Sequence, residues 1–172
     1  MRTFFLPVMV MFIFVLESII VDLVPIPFLS DHQVAVPHLL LLMIVILAAY
    51  GSRKIAVIYG IVFGLLFDVV YTQVIGIYAF AFPTLAYLVM QALRVLNPNI
   101  FVLIFLTELS VALLEFFTYG IYLLIGMTAV PLQLFTIDRL LPTLALNFVL
   151  ACVLIYPLKK FVLGLKIGEH ND

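Results

Sequence analysis

Apolar runs, separated by short groups of charged and turn-forming residues, extend along this chain from one end to the other. A helix needs about 20 mostly apolar residues to cross the hydrocarbon core of a bilayer, with a lower limit of about 17. The runs predict six helices, at about 3–24, 36–50, 55–71, 75–93, 100–125 and 140–158. We therefore expect an all-α membrane protein, with residues 1–172 forming one integral domain, a bundle of six transmembrane helices.

Prolines, glycines and charges set the predicted boundaries. Pro25 and Pro27 should end the first helix, because proline cannot continue one, and 28–37 is expected to be a polar turn. Residues 127–139 are expected to be a loop in front of the last helix. The first apolar run resembles a signal peptide but no small-residue cleavage site follows it, so we interpret it as a retained membrane helix.

The composition agrees with this pattern and narrows the class of protein. The chain has 172 residues, of which 67% are hydrophobic and 10% are charged, and its mean hydropathy is +1.37. Such values lie far outside the range of soluble globular domains. A formal net charge of -1, with no basic or acidic block, gives no support to nucleic-acid binding.

Lys and Arg are distributed unequally between the two sides of the predicted bundle. Short basic loops are disfavoured for translocation, so they mark the cytoplasmic side. With the N-terminus in the cytoplasm, seven of the eight basic residues are cytoplasmic and only Arg139 is external. Both termini are therefore expected to be cytoplasmic.

Several acids lie within the predicted helices, where a charge at the bilayer centre costs about 2.5 to 3.5 kcal/mol on the insertion scale. These acids are Glu17, Asp22, Asp68, Glu108 and Glu115. Arg139 is the only predicted external cation, so the acids cannot all be ion-paired within the chain. Some are expected to be protonated, solvated or matched by a partner's cation, and Asp22, near the Pro25 turn, is interpreted as a solvated helix end.

Gly60, Gly64 and Asp68 recur every four residues, so on a helix they form one narrow stripe. Two glycines at this spacing let helix backbones approach closely, although such pairs are also frequent by chance. Asp68 is equally compatible with a structural contact between helices and with a contact to a partner or ligand. Gly76 is interpreted as the small residue that lets the next helix turn back, and Asn147 as an interhelical hydrogen-bond donor in preference to a ligand contact.

The sequence contains no pattern typical of catalysis, a cofactor or a metal site. There is neither a phosphate-binding loop nor a nucleophile elbow, so we predict neither an enzyme nor a bound cofactor. The single cysteine, Cys152, is expected to be a buried packing residue. The histidines lack metal-ligand spacing and are expected to be solvated loop residues; they are His32, His38 and His170.

The stripe Gly60, Gly64 and Asp68, followed by Gly76 at the start of the next helix, resembles the central signature of the rod shape-determining MreD family. Pro37 before a short leucine-rich helix, and Asn147 on a last helix that ends in a basic pair, are also similar to that family. The size and the six expected spans agree with it over nearly the whole chain.

This resemblance implies a non-enzymatic scaffold subunit of the bacterial cell-elongation machinery in the cytoplasmic membrane. In that family the implied partners are the single-span protein MreC, the actin-like MreB filament, and a SEDS glycosyltransferase with a class B penicillin-binding transpeptidase. Membrane lipid is a further expected contact, and homo-oligomers within a heteromeric complex are compatible with this interpretation. Glu115, Asp68 and the other acids on the external side are candidates for the partner contact.

The MreD family is also similar in fold to the substrate-binding subunits of energy-coupling-factor transporters, which supplies an alternative function, the binding of a vitamin-sized molecule. Those subunits dock through an alanine-rich surface on the first helix, where small side chains allow close crossing. The first predicted helix here contains no alanine or glycine and carries Phe4, Phe5, Phe12 and Phe14. Phe12 and its neighbours are expected to face either lipid or a differently shaped partner helix.

Overall fold

The computed structural model describes residues 5–23 and 33–165, and every regular element in these residues is helical. A single turn of π-helix, Thr136–Leu140, joins the last two α-helices without a break. The α-helices are α1 (Phe5–Leu23), α2 (Leu39–Tyr50), α3 (Arg53–Tyr71), α4 (Ile77–Ala92), α5 (Ile100–Leu124), α6 (Leu132–Phe135) and α7 (Leu141–Gly164). Pro25, Pro27 and most of the predicted polar turn lie outside the described residues.

Three helical stretches of the described residues are long and apolar enough to cross a membrane: Arg53–Tyr71, Ile100–Leu124 and the continuous run Leu132–Gly164. Phe5–Ile20, Leu39–Tyr50 and Ile77–Ala92 are shorter apolar helices. The protein is therefore an all-helical membrane protein, as the apolar runs predicted.

The predicted loop at 127–139 is wrong over its second half. The last helical run begins at Leu132 rather than at about residue 140, and Arg139 lies within the π-turn of that run instead of at the end of the predicted loop. The reason is that the Thr136 hydroxyl donates to the Leu132 carbonyl of the same helical run and Arg139 binds the buried Glu115, so the polarity of these residues did not mark a loop.

α2 lies at the centre of the bundle. Its residues Leu39–Leu47 are all buried, and α1, α3, α4, α5 and α7 all contact it. A helix that is apolar on every face is expected in such a position. At about 1.5 Å per residue its 12 residues span about 18 Å. The helix alone is therefore too short to cross the roughly 30 Å hydrocarbon core.

The helices alternate in direction. The two ends of the bundle differ in the side chains that lie there. We call the end at which α2, α4 and α7 begin the polar end, because Glu17, Asp68 and Arg139 lie there. At the opposite, basic end, the Lys159 ammonium lies 4.8 Å from the centre of the Tyr50 ring. The described cations of the basic end are Arg53, Lys54, Arg94, Lys159 and Lys160, whereas Arg2 and Lys166 lie outside the described residues.

Candidate functional site

Asp68 caps the start of α4. Its carboxylate accepts backbone hydrogen bonds from Gly76 (2.9 Å), Tyr78 (2.9 Å) and Ala79 (3.0 Å). These amides belong to the first turn of a helix, where N–H groups have no partner within the helix and the dipole favours negative charge. Asp68 is 0% exposed, and its hydrogen bonds join α3 to the start of α4.

The two glycines of the stripe bring α3 and α4 into backbone contact. A Cβ atom at Gly60 would lie 2.9 Å from the Pro83 nitrogen, and one at Gly64 would overlap the carbonyl oxygen of Tyr78. Gly76, with φ of 111°, is the N-cap of α4 in a left-handed conformation that favours glycine. Stripe and turn therefore form one tightly packed α3–α4 hairpin.

Glu17 plays the same part for α2 that Asp68 plays for α4. It extends from α1, and its Oε2 accepts a 2.8 Å hydrogen bond from the amide of Leu40 in the first turn of α2. The residue is 3% exposed. An acid from one helix thus stabilises the buried N-terminus of another, and no local pattern could pair the two residues because they are 23 positions apart.

Glu115 on α5 is the centre of a buried charge cluster. Its Oε1 accepts a hydrogen bond from His38 Nε2 at 2.9 Å, and its Oε2 accepts one from Arg139 Nε at 2.7 Å. A carboxylate can only accept, so Nε2 carries the proton of the imidazole. Glu115 and His38 are each 1% exposed, whereas the Arg139 side chain is 42% exposed.

The position of His38 contradicts the prediction of a solvated loop histidine. It is the N-cap residue of the buried helix α2, and its partner Glu115 lies 77 positions further along the chain. His32 and His170 lie outside the described residues. His38 is therefore a member of the polar site that sequence reasoning missed, whereas Arg139 was expected as the one external cation available to the acids; Pro37, directly before His38, was the local signal for a change of structure at this point.

An extended segment, residues 34–38, leads into α2 and is bound along α7. The amides of Val34, Val36 and His38 donate to the Asp138 carbonyl (2.8 Å), the Thr143 hydroxyl (3.2 Å) and the Asn147 side-chain oxygen (2.8 Å). Only alternate amides point toward α7, so Pro37, which has no N–H, occupies a position where none is required. We call these residues the pinned segment.

Asn147 completes the attachment of the pinned segment. Its Nδ2 donates to the Val36 carbonyl at 2.8 Å while its oxygen accepts from the His38 amide. Non-helical backbone at membrane depth is tolerated only where protein or a water-filled cavity satisfies its polar groups. Asn147 therefore joins α7 to the non-helical backbone in front of α2, up to its N-cap residue His38.

Pro142 explains why the helix is locally a π-turn. Proline lacks the N–H that would otherwise bond the carbonyl four residues earlier, which is that of Asp138. This carbonyl instead accepts the Val34 amide. π-turns are frequent at functional sites, and this one directs Arg139 toward Glu115.

Three of the acids, some of which were expected to be protonated, solvated or matched by a partner's cation, have partners within the fold. Glu17 and Asp68 are bound by backbone amides, and Glu115 is bound by Arg139 and His38. Glu108 differs, since its Oε1 is buried without a hydrogen bond from the described residues. The side chain of Asp22 lies outside the described residues.

A cavity of about 320 Å³ lies beside this cluster at the polar end. Residues from α1, the pinned segment, α3, α4, α5 and the π-turn line it, among them Glu17, Tyr71, Tyr78, Tyr122 and Arg139. Arg139 and Tyr122 also line a neighbouring cavity of about 290 Å³. The guanidinium that holds Glu115 therefore separates two open spaces.

The outer face of α1 carries large apolar side chains. Phe5, Val8, Phe12, Val15 and Ile19 are between 44% and 65% exposed. Phe14, by contrast, is buried, where its ring lies 5.3 Å from that of Tyr71, and Phe4 lies outside the described residues. The aromatic residues of the first helix are thus divided between its two faces.

Cys152 is exposed on α7, so the prediction of a buried packing role is wrong. An apolar run in a membrane protein contains both inward-facing and lipid-facing positions, and periodicity alone does not separate them when both are apolar.

Comparisons with known proteins agree with the sequence resemblance. The family model for the rod shape-determining protein MreD matches residues 2–163. The rod shape-determining protein MreD of Bacillus subtilis (strain 168) is 42% identical over 166 residues, which cover 96% of this chain and 96% of that protein. No solved structure matches the chain.

Proposed function

Because this chain belongs to the MreD family of rod shape-determining proteins, we propose that it is a non-enzymatic membrane scaffold of the bacterial cell-elongation machinery. A scaffold raises the local concentration of its partners, and no bond needs to be formed or broken. The observation that carries the proposal is the identity of 42% across nearly the full length of both chains.

The proposed topology has six membrane passages with both termini in the cytoplasm. Alternating helix directions and the separation of five described cations at the basic end from Arg139 at the polar end support it. α2 contributes its passage together with the pinned segment, since the helix alone spans only about 18 Å. The basic end then faces the anionic inner leaflet of the cytoplasmic membrane.

The proposed partners are an MreC-like single-span protein, an MreB-like filament at the cytoplasmic side, and a SEDS glycosyltransferase with its class B penicillin-binding transpeptidase. Through them the protein would help to organise peptidoglycan synthesis. Glu17, Asp68 and Glu115 are each held by groups of the fold, which favours an apolar contact with the single-span partner over a charged one.

The outer face of α1 is the proposed binding surface for the partner's membrane helix. Its exposed residues Phe5, Val8, Phe12, Val15 and Ile19 are separated by alternating steps of three and four. This spacing is that of a coiled-coil seam, in which side chains of one helix pack between those of another. We call these five residues the α1 seam. Among helices in a membrane, packing of this kind is a main source of association.

Cysteine crosslinking tests the seam. Cys152 is first replaced by alanine, and single cysteines are then introduced at the seam positions and at the exposed residues Phe105 and Val153 on other helices. Crosslinks to the MreC-like protein are expected at the seam with the three-and-four spacing, and none at the other two positions. Equal crosslinking at all exposed positions would contradict a defined seam.

Phe12→Ala and Phe105→Ala form a matched pair, because the two rings are 59% and 60% exposed. Recovery of the MreC-like protein with the Phe12 variant is expected to fall about tenfold, which corresponds to about 1.4 kcal/mol, while the Phe105 variant is unaffected. Cells carrying only the Phe12 variant should become round.

Deletion of the whole protein distinguishes the alternative function, since a requirement for a vitamin in rod-shaped cells would favour a transporter subunit and overturn the proposal.

A further inference from the structure

The cavity of about 320 Å³ at the polar end contains polar atoms that the fold itself does not use. Oε2 of Glu17 accepts a hydrogen bond from the Leu40 amide, whereas its Oε1 has no hydrogen bond in the described part of the chain. The Tyr78 hydroxyl is likewise without a hydrogen-bond partner there, although the residue is only 6% exposed. Both side chains line the cavity, so two deeply buried polar groups remain available to a ligand.

The lining groups carry both signs of charge. Glu17 supplies a carboxylate oxygen, and Arg139 supplies a guanidinium of which Nε and Nη2 bind Glu115 while Nη1 has no hydrogen bond among the described residues. Arg139 remains 42% exposed although it is ion-paired. A ligand that fits both residues must therefore carry an anionic and a cationic group close together.

Aromatic rings line the same cavity as the Glu17 carboxylate. Phe67, Tyr71, Tyr78 and Tyr122 line the cavity with Glu17, and the Phe67 ring lies 4.7 Å from Tyr71 and 4.4 Å from Tyr78. The faces of such rings attract ammonium groups, and a carboxylate beside them adds a hydrogen-bond acceptor. A guanidinium binds phosphate in turn, because its planar set of N–H donors matches the phosphate oxygens.

We infer that this cavity binds a compact aminoalkyl phosphate zwitterion, in which the phosphate contacts Arg139 and the primary ammonium contacts Glu17 among the aromatic rings. About ten water-sized volumes of about 30 Å³ each fill a space of this size, which suits the eight or so non-hydrogen atoms of phosphoethanolamine. The group can come from the headgroup of phosphatidylethanolamine or from the free compound. The inference concerns a ligand and does not depend on the α1 seam.

Native mass spectrometry of the purified protein tests the site. The protein is mixed with equal amounts of phosphatidylethanolamine and phosphatidylglycerol, which share the phosphate but differ in the ammonium. We expect at least a tenfold excess of the ethanolamine lipid on the protein. Competition by free phosphoethanolamine at similar concentration would assign the site to the soluble compound, whereas competition only at far higher concentration would assign it to the lipid.

Three variants separate the site from general lipid adhesion. Glu17→Gln keeps an oxygen for the Leu40 amide and removes the charge, so it should abolish the preference for ethanolamine while the protein still folds. Tyr78→Phe keeps the ring and should weaken the preference severalfold. Tyr119→Phe is the control, since Tyr119 lines the neighbouring cavity and its hydroxyl is bound to the Val130 carbonyl. Equal retention of the two lipids, or a preference that survives Glu17→Gln in a folded protein, would overturn the inference.

Discussion

Replacement of Asp68 by asparagine is the most informative single perturbation of the fold. The aspartate directs two acceptor oxygens at three backbone amides of the α4 first turn. Asparagine has the same shape but only one acceptor oxygen, and it points an NH₂ donor at amides that are themselves donors. The start of α4 would therefore lose a hydrogen bond, gain a repulsive contact and lose its negative charge.

The cost can be estimated from these contacts. A hydrogen bond to a charged group contributes about 1.5 to 3 kcal/mol, and a carboxylate at a partly buried helix N-terminus up to about 2 kcal/mol. The two contributions overlap, so we expect a loss of about 3 kcal/mol. For a chain of this length 1 kcal/mol corresponds to about 2 to 4 °C, which predicts a midpoint lowered by about 6 to 12 °C.

Thermal unfolding of the purified variant in a single detergent, followed by circular dichroism, measures this change. Glu108→Gln is the matched control, because it also removes an embedded acid but one whose Oε1 has no hydrogen bond from the described residues. Its midpoint should not fall. If Asp68→Asn kept the original midpoint yet lost the MreC-like partner, Asp68 would be a partner-binding residue and the capping argument would be refuted.

Three further predictions concern the packing and the polar cluster. Gly64→Ala should lower the unfolding midpoint strongly because its Cβ would overlap the α4 backbone, whereas Gly120→Ala, with no atom near its Cβ, should leave it unchanged or slightly raised. Arg139→Met should cost about 1.5 to 3 kcal/mol, the contribution of a hydrogen bond to a charged group, since Glu115 keeps its contact with His38 and Arg139 is 42% exposed; in a double-mutant cycle, Glu115→Gln in the same chain should restore part of that loss, and strict additivity would argue against the pair. Asn147→Leu should speed hydrogen exchange of the pinned segment, measured by mass spectrometry, while exchange in α5 stays unchanged; slow exchange in the pinned segment would contradict its attachment to α7.

The sequence was informative about the helices because apolar length and turn residues are local properties. The predicted third helix, 55–71, differs from Arg53–Tyr71 by two residues at its start, and the predicted fifth, 100–125, differs from Ile100–Leu124 by one at its end. The spacing of Gly60, Gly64 and Asp68 also indicated one face. That this face belongs to α4 could not be read from spacing, since a partner helix would require the same small residues.

The polar cluster could not be predicted, because its partners are distant in sequence. Glu115 lies 77 positions from His38 and 24 from Arg139, and no local pattern relates the three. The start of the last helical run was predicted wrongly for a related reason. Pro142 has no N–H for the Asp138 carbonyl, and this carbonyl accepts instead from the distant Val34 amide. In this chain His38, Glu115 and Arg139 mark internal contacts and not loops.

The pinned segment has a consequence for how the chain is assembled in the membrane. Its amides are satisfied by the Asp138 carbonyl of the π-turn and by α7, the latter through contacts that span 107 and 109 positions, and α7 is the last of these helices to leave the ribosome. Until then the entrance to α2 has unpaired backbone groups that hydrocarbon does not tolerate, so α2 cannot settle at the centre of the bundle when it is synthesised. We expect its final insertion to occur after translation of α7, which makes the C-terminal helix the step that closes the fold and makes chains truncated before residue 141 substrates for membrane proteolysis.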